Sequence, residues 1–212
     1  MRPPQSWRSA RVTLVIAVII AAAWLIAELF RLQLWVFING SFVPIAVTTG
    51  ESAGIVPVWL TPLTATLIHA GILHILFNLL IFVFCGRPVE AVLGPVSQAI
   101  LYFVGAYAAA GAQYLVDPTS IVPMVGTSGA VSAILGAYAM LFGRNKVRVS
   151  NQSLALWLNA LWLMAAWIGI QLVVGIASGA YGVGIAVAAH IGGFIVGVLL
   201  ARPLLLFRYR KA

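Results

Sequence analysis

The 212-residue sequence is poor in charge and in cysteine. Charged residues make up 8% of it, four of them acidic, and Cys85 is the single cysteine, whereas soluble domains carry roughly 25% charged residues. This scarcity excludes an ordinary water-soluble domain, and one cysteine excludes an internal disulfide. Because Cys85 lies at the end of an apolar run, we interpret it as a packing residue.

Apolar residues, in contrast, account for 63% of the chain and form long stretches between short charged clusters. One crossing of a bilayer needs about 20 such residues. The pattern predicts an all-α, polytopic membrane protein, a six-transmembrane-helix bundle that forms one domain over residues 1–212. The predicted spans cover about 12–30, 63–85, 97–116, 128–143, 156–176 and 185–201.

The basic residues predict the orientation of the bundle. With six spans and a cytoplasmic N-terminus, eleven of the 12 Lys and Arg residues fall inside and only Arg31 outside, as the positive-inside rule expects. A further span at 32–50 would put Arg87 outside, and Pro44 interrupts its helical pattern. We therefore predict that 31–62 is a long outer loop in the interface and that both termini are cytoplasmic.

The net charge of +8 has the same explanation. The basic residues stand in short clusters between apolar runs, so the lipid bilayer is the predicted partner and no nucleic acid is expected. The bare six-span form favours a prokaryotic plasma (inner) membrane. Nothing in the sequence predicts an oligomeric state.

Polar side chains within spans are costly and tend to mark function. The candidates are His69, His74, Asn78, Ser128, Ser132 and His190. Counted at about 1.5 Å per residue from the nearest inner arginine, His74, Ser128 and His190 lie roughly 20, 24 and 18 Å above the inner boundary. Three different helices thus bring a polar group to one level. Asn78 follows His74 by one turn and shares its face.

The segment Gly126-Thr127-Ser128-Gly129 begins the short fourth span, so 117–127 must descend to meet it and line a cavity. Free N–H groups at a helix start form an oxyanion site. Gly126 permits a positive φ or a close approach, and Gly129 removes a side chain beside Ser128. A serine needs a base to become a nucleophile, and His190 is the candidate.

Small residues explain how Ser128 and His190 meet. They recur every four positions on the fourth span and again on the sixth, which predicts close helix packing. The residues are Ser128, Ser132 and Gly136, and Ala189, Gly193 and Gly197. Asp117 is a weak candidate for a third triad member, so we predict a Ser-His dyad with no cofactor and no metal ion. Alone, Ser132 is interpreted as a packing residue and His69 as a loop anchor.

These residues resemble the motifs of the rhomboid family of intramembrane serine proteases. His69, His74 and Asn78 are similar to its HxxxxHxxxN pattern, and Gly126 to Gly129 to its GxSG motif. Two further motifs, GxxxExxxG and AHxxGxxxG, are matched by Gly86, Glu90 and Gly94 and by Ala189, His190, Gly193 and Gly197.

The resemblance implies roles for these residues. Ser128 would be the nucleophile and His190 the general base. His74, Asn78 and the Ser128 backbone would form the oxyanion site. Gly126, Gly129 and His69 would support the site, and Glu90 would be a structural loop residue. The implied substrates are single-pass transmembrane proteins, cut within or beside their helix through an acyl-enzyme, at a site that opens to the outer side.

The sequence departs from the family pattern at two places. Leu60-Thr61 stands where many members carry a Trp-Arg pair, and Ser132 stands where many carry an aromatic residue that stacks on the base. His190 must therefore be oriented by another group. Two other functions stay open: a rhomboid-like pseudoenzyme that binds transmembrane helices without cutting them, and a small transporter or channel.

Overall fold

The computed structural model describes residues 10–52, 54–143, 151–177 and 186–210. In these residues every regular element is a helix, joined by non-helical segments such as 117–127, and the one β-type backbone pairing is an isolated bridge between Phe42 and Met124. The α-helices are α1 (Arg11–Leu29), α2 (Gln33–Gly40), α3 (Pro44–Thr49), α4 (Thr61–Thr64), α5 (Ile72–Leu93), α6 (Pro95–Val116), α7 (Ser128–Phe142), α8 (Gln152–Ala177) and α9 (Val187–Arg208). Single 3-10 turns, Val58–Leu60 and Ala65–Leu67, flank α4.

Five of the described helices, α1, α5, α6, α8 and α9, are long and apolar enough to cross a membrane. The sixth helix of the bundle, α7, has 15 residues, which corresponds to about 22 Å. It packs against α5, α6, α8 and α9, and most of its side chains are buried. The chain is a multi-pass membrane protein, and the predicted all-α membrane bundle is confirmed.

The second predicted span, 63–85, differs most from the observed helix. α5 begins at Ile72 and ends at Leu93, while the residues before it form α4 and a 3-10 turn. Gly71, with φ 163° and ψ 175°, is extended and separates the two parts. Because both parts are apolar, hydropathy alone merges them. His69 consequently lies in the connection before α5 rather than within a span.

Two of the arginines predicted to mark the inner boundary, Arg87 and Arg202, lie within helices rather than at their ends. Arg87 is followed by six further residues of α5, which ends at Leu93, and Arg202 by six of α9, which ends at Arg208. The heights of His74 and His190 above the inner boundary are counted from these two arginines, so they start from points inside α5 and α9 and not from the helix ends. The basic cluster at 144–148 and the predicted turn between the fifth and sixth spans, at 178–184, fall outside the described residues. Cys85 is free and buried.

The predicted outer loop, 31–62, contains α2 and α3, which are separated at Ser41 to Val43. It holds the segment that leads to Ser128. Phe42 and Met124 exchange backbone hydrogen bonds of 3.1 and 2.7 Å, and the Gly126 N–H donates to the Ala65 carbonyl at 2.9 Å. The non-helical backbone before α7 therefore pairs with the outer loop at Phe42 and with the 3-10 turn at Ala65 instead of being left unsatisfied.

The small residues on α7 and α9 allow the two backbones to touch. A Cβ at Gly193 would overlap the carbonyl of Gly129, one at Gly197 that of Ala133, and one at Gly136 that of Phe194. Close packing of these helices, predicted from the small-residue pattern, is confirmed. It places the first turn of α7 directly beside the first turn of α9.

Glu90 joins the N-terminus of α1 to the bundle. It lies within α5, not in a loop as the resemblance implied, and it is 1% exposed. Its two carboxylate oxygens accept hydrogen bonds from the N–H of Val12 (2.9 Å), the N–H of Thr13 (2.7 Å) and the Thr13 hydroxyl (2.7 Å). A carboxylate at a helix start satisfies free N–H groups and interacts favourably with the helix dipole. Its role is therefore structural.

Candidate active site

Ser128 and His190 form a buried hydrogen-bonded pair. Ser128 is the first residue of α7 and His190 lies in the first turn of α9. The distance between Ser128 Oγ and His190 Nε2 is 2.8 Å, and the residues are 7% and 4% exposed. The structure thus brings together the two residues that the sequence singles out as nucleophile and base, at the contact a nucleophile and its base require.

The other ring nitrogen of His190, Nδ1, is buried and has no hydrogen-bond partner. For Nε2 to accept the Ser128 proton, the neutral ring must carry its hydrogen on Nδ1. Asp117 is not a partner of Nδ1, and its Oδ1 instead accepts from the N–H and hydroxyl of Thr119. Within the described residues no carboxylate is therefore hydrogen bonded to the His190 ring.

Gly126 and His74 lie close to Ser128. Gly126 has φ +105°, which side chains rarely tolerate. A Cβ at this glycine would lie 2.8 Å from His74 Nε2. His74 Nδ1 accepts the Ala70 N–H at 3.4 Å, which leaves the hydrogen on Nε2. An N–H donor thus points toward Gly126, next to the free N–H groups at the start of α7.

Asn78 is placed differently from His74. Its Nδ2 donates to the His74 carbonyl at 2.9 Å, and its Oδ1 is buried without a partner. It is fully buried and is not among the residues that line the cavity beside Ser128. Among the residues that the structure describes, no hydrogen bond joins Asn78 to Ser128 or His190, and its role in the oxyanion site stays a prediction.

His69 and Tyr102 hold the segment before Ser128. His69 Nε2 accepts the Thr127 N–H at 3.4 Å, and its ring packs edge-on against His74 with 5.0 Å between centroids. Burial, followed by the neighbouring His74, lowers the pKa of His69 to about 3, so it is a neutral acceptor. The hydroxyls of Tyr102 and Thr127 are hydrogen bonded at 2.9 Å. These contacts agree with the interpretation of His69 as a loop anchor.

A cavity opens beside Ser128 and His190. Its lining includes His74, Gly126, Ser128, Gly129, Gln171 and His190. There is no space for a side chain at position 129, since a Cβ on Gly129 would overlap the Cβ of Ala109. In the described part of the chain, no three His, Cys, Asp or Glu residues are grouped so that they could hold a metal ion. The chemistry available here is nucleophilic, with a base and N–H donors.

Sequence reasoning missed the contribution of α8. Trp167, 2% exposed, donates its indole N–H to Ser132 Oγ at 2.8 Å and lies edge-on to His190 with 6.2 Å between ring centroids. Gln171, 5% exposed and one turn later, lines the cavity, and its Nε2 has no partner. Because the sequence of a helix this apolar does not show which face is buried, it does not predict that Trp167 and Gln171 belong to the site.

Comparison with known proteins gives the class of this fold and site. A model of the rhomboid domain family matches residues 57–207. The chain belongs to the rhomboid family.

Individual relatives agree with this assignment. Rhomboid protease GlpG of Pectobacterium atrosepticum is 36% identical over 135 residues, 64% of this chain and 45% of that protein. Rhomboid protease GlpG of Haemophilus influenzae is 36% identical over 138 residues, 63% of this chain and 64% of that protein. RHOMBOID-like protein 1 of Arabidopsis thaliana is 32% identical over 137 residues, 65% of this chain and 32% of that protein. The matches thus cover less than two thirds of these relatives' own length.

Proposed function

We propose that this protein is an intramembrane serine endopeptidase that uses Ser128 and His190 as a dyad. The observation that carries the proposal is the buried 2.8 Å contact between Ser128 Oγ and His190 Nε2 at the edge of a cavity. The protease names of the bacterial relatives support it. Both residues of the dyad are present, which distinguishes the protein from a pseudoenzyme lacking its nucleophile or base.

The reaction begins when Ser128 Oγ attacks the carbonyl carbon of the scissile peptide bond and its proton passes to His190 Nε2. The carbonyl oxygen becomes negatively charged. The Ser128 N–H at the start of α7 and the His74 Nε2–H stabilise that charge. Asn78 is a further donor of this site in the family pattern, and it acts here if its amide turns away from the His74 carbonyl.

The intermediate then collapses. The bond between carbon and nitrogen breaks, His190 gives its proton to the leaving amine, and an ester to Ser128 remains. Water attacks this ester after His190 has taken one of its protons. The acid product leaves, and the proton returns to Ser128 Oγ. Each step uses the same Nε2 atom, first as base and then as acid.

The proposed substrates are single-pass transmembrane proteins in the same bilayer. An intact helix keeps its carbonyl groups in hydrogen bonds, so the substrate must unwind locally before Ser128 reaches the carbon. Glycine near the cleaved bond weakens a helix and eases this unwinding, and the family resemblance separately implies a preference for small residues at the bond itself. We further propose a plasma-membrane location and a site that opens to the outer side, and the distribution of basic residues supports cytoplasmic termini.

The test is cleavage in proteoliposomes that contain the purified protein and a panel of single-pass helices. Half of the panel carries Ala and Gly near the outer end of the helix, and the other half carries Leu at the same positions. We expect cleavage of the first half, absent in Ser128→Ala. The proposal is contradicted if the folded protein leaves the whole panel intact or if Ser128→Ala still cuts.

A further inference from the structure

We propose that Trp167 of α8 is the positioning residue of His190, held in place by Ser132. This inference rests on the proposed function, since it assigns the group that orients the base. Each of four residues on α7, α8 and α9 contacts the next, and the last contacts the first. Ser128 contacts His190, His190 contacts Trp167, Trp167 contacts Ser132, and Ser132 contacts Ser128.

The ring contact fits the need of His190 for orientation. Its Nδ1 has no hydrogen-bond partner, so hydrogen bonding holds the ring only through Nε2. The Trp167 and His190 rings meet at 65° with 6.2 Å between centroids, within the range of favourable edge-to-face pairs. The indole ring therefore blocks rotation of the imidazole away from Ser128.

Ser132 determines where the indole ring lies. The Trp167 Nε1–H donates to Ser132 Oγ at 2.8 Å, and the Ser132 hydroxyl donates to the Ser128 carbonyl at 2.7 Å. Ser132 is fully buried and Trp167 almost fully, so water does not compete for either bond. A small hydroxyl side chain at position 132 leaves room for an aromatic ring from the neighbouring helix and also binds it.

The test compares Trp167→Leu, Trp167→Phe and Ser132→Ala. Removing the ring with Trp167→Leu is expected to lower kcat for peptide cleavage by about tenfold with KM nearly unchanged. Trp167→Phe keeps a ring but loses the N–H, so it restores part of kcat. Ser132→Ala removes the acceptor of the same Trp167–Ser132 hydrogen bond. The double variant Ser132→Ala/Trp167→Phe is therefore expected to have nearly the same kcat as Trp167→Phe alone.

A spectrum of ¹⁵N-labelled histidine reads the same contact without turnover. The chain has three histidines, and His190→Ala assigns the signal. Trp167→Leu is expected to shift or broaden the His190 ring signals, whereas Trp162→Leu, which removes an exposed tryptophan of α8, leaves them unchanged. Unchanged kcat and spectra in folded Trp167→Leu would overturn the proposal. If the wild-type protein cleaves no substrate but Trp167→Leu still changes the His190 signals, the proposed function is refuted while the contact between Trp167 and His190 stands.

A second, independent observation concerns Gln171. We infer that its carboxamide N–H binds a main-chain carbonyl of the substrate in the cavity, which also rests on the proposed function. Nε2 is buried without a partner in a residue that is 5% exposed and lines the cavity. A buried donor without a partner is costly. A substrate helix that unwinds here presents carbonyls that have lost their own donors.

The test is Gln171→Leu, which keeps the size of the side chain and removes the donor. Cleavage measured as kcat/KM is expected to fall about fivefold to tenfold, while the rate at which a small fluorophosphonate labels Ser128 is unchanged. The matched control is Gln113→Leu, because Gln113 Oε1 is also buried without a partner but the residue does not line the cavity. Equal cleavage by Gln171→Leu and the wild type would overturn the inference. Loss of labelling as well would show that Gln171 acts on the dyad instead.

Discussion

The imidazole of His74 occupies the space that a side chain at position 126 would need. A Cβ on Gly126 would lie 2.7 Å from His74 Cε1 and 2.8 Å from Nε2, and 3.8 Å from Ser128 Oγ. The absence of a side chain at position 126 therefore lets the His74 ring on α5 and the Ser128 hydroxyl on α7 face a common point. A carbonyl oxygen bound at that point would meet both the His74 ring and the start of α7.

Gly126→Ala is expected to lower the rate of peptide cleavage by about a hundredfold. The new methyl group displaces His74, and φ +105° is strained for alanine. The control is Gly111→Ala on α6, where a Cβ meets nothing within 4 Å; it should keep full activity. Equal rates for the two variants would contradict the role of this close approach.

His74 and Asn78 are expected to differ in their contribution to turnover. His74 lines the cavity and Asn78 does not, so His74→Ala should lower kcat by about 10²-fold to 10³-fold. Asn78→Ala should lower it less, because its observed hydrogen bond is to the His74 carbonyl. Steady-state kinetics on folded variants measure both. A larger loss for Asn78→Ala would show that its amide reaches the oxyanion directly.

Glu90→Gln is expected to destabilise the protein by about 1–3 kcal/mol. The two carboxyl oxygens of Glu90 accept three hydrogen bonds at the start of α1, and the amide of glutamine has one acceptor oxygen fewer. The thermal unfolding midpoint in detergent measures the effect. Glu28→Gln, which changes an exposed glutamate of α1, is the control and should leave the midpoint nearly unchanged. Equal midpoints for both variants would contradict the capping role.

The buried His69 predicts a loss of stability in acid. Its pKa falls from 6.5 to about 3 in the folded protein because burial, then His74, disfavours its charge. Below pH 6.5 His69 takes up a proton in the unfolded chain but stays neutral in the folded protein. The free energy of unfolding therefore decreases as the pH is lowered, by up to about 1.4 kcal/mol per pH unit. His69→Gln should flatten the fall in unfolding midpoint between pH 7 and pH 4. An identical fall in both proteins would exclude His69 as a cause.

Much of this architecture could be predicted because membrane helices obey strong constraints. The short fourth helix, the close approach of α7 and α9, and the pairing of Ser128 with His190 all follow from apolar length, small residues and the cost of buried polar groups. The start of α5 could not be predicted in the same way. Apolar residues continue through Gly71, and only the extended backbone there separates two helical segments.

The contribution of α8 to the site could not be predicted from the sequence for a related reason. Trp167 and Gln171 lie on a helix that also carries exposed tryptophans, Trp157 and Trp162. In lipid both faces of such a helix are apolar, so composition does not reveal the inward face. The replacement of an aromatic residue at position 132 by serine indicates that another group is needed, but only the packing of α8 identifies it.

The most direct test of the dyad is the intact mass of the purified protein after reaction with a serine-directed fluorophosphonate. It needs no known substrate. We predict a single adduct on Ser128 that disappears in Ser128→Ala and in His190→Ala and remains in Ser97→Ala, which removes a buried serine of α6 outside the cavity. A folded wild-type protein that takes no adduct, or an adduct that persists in His190→Ala at the wild-type rate, would contradict an activated Ser128.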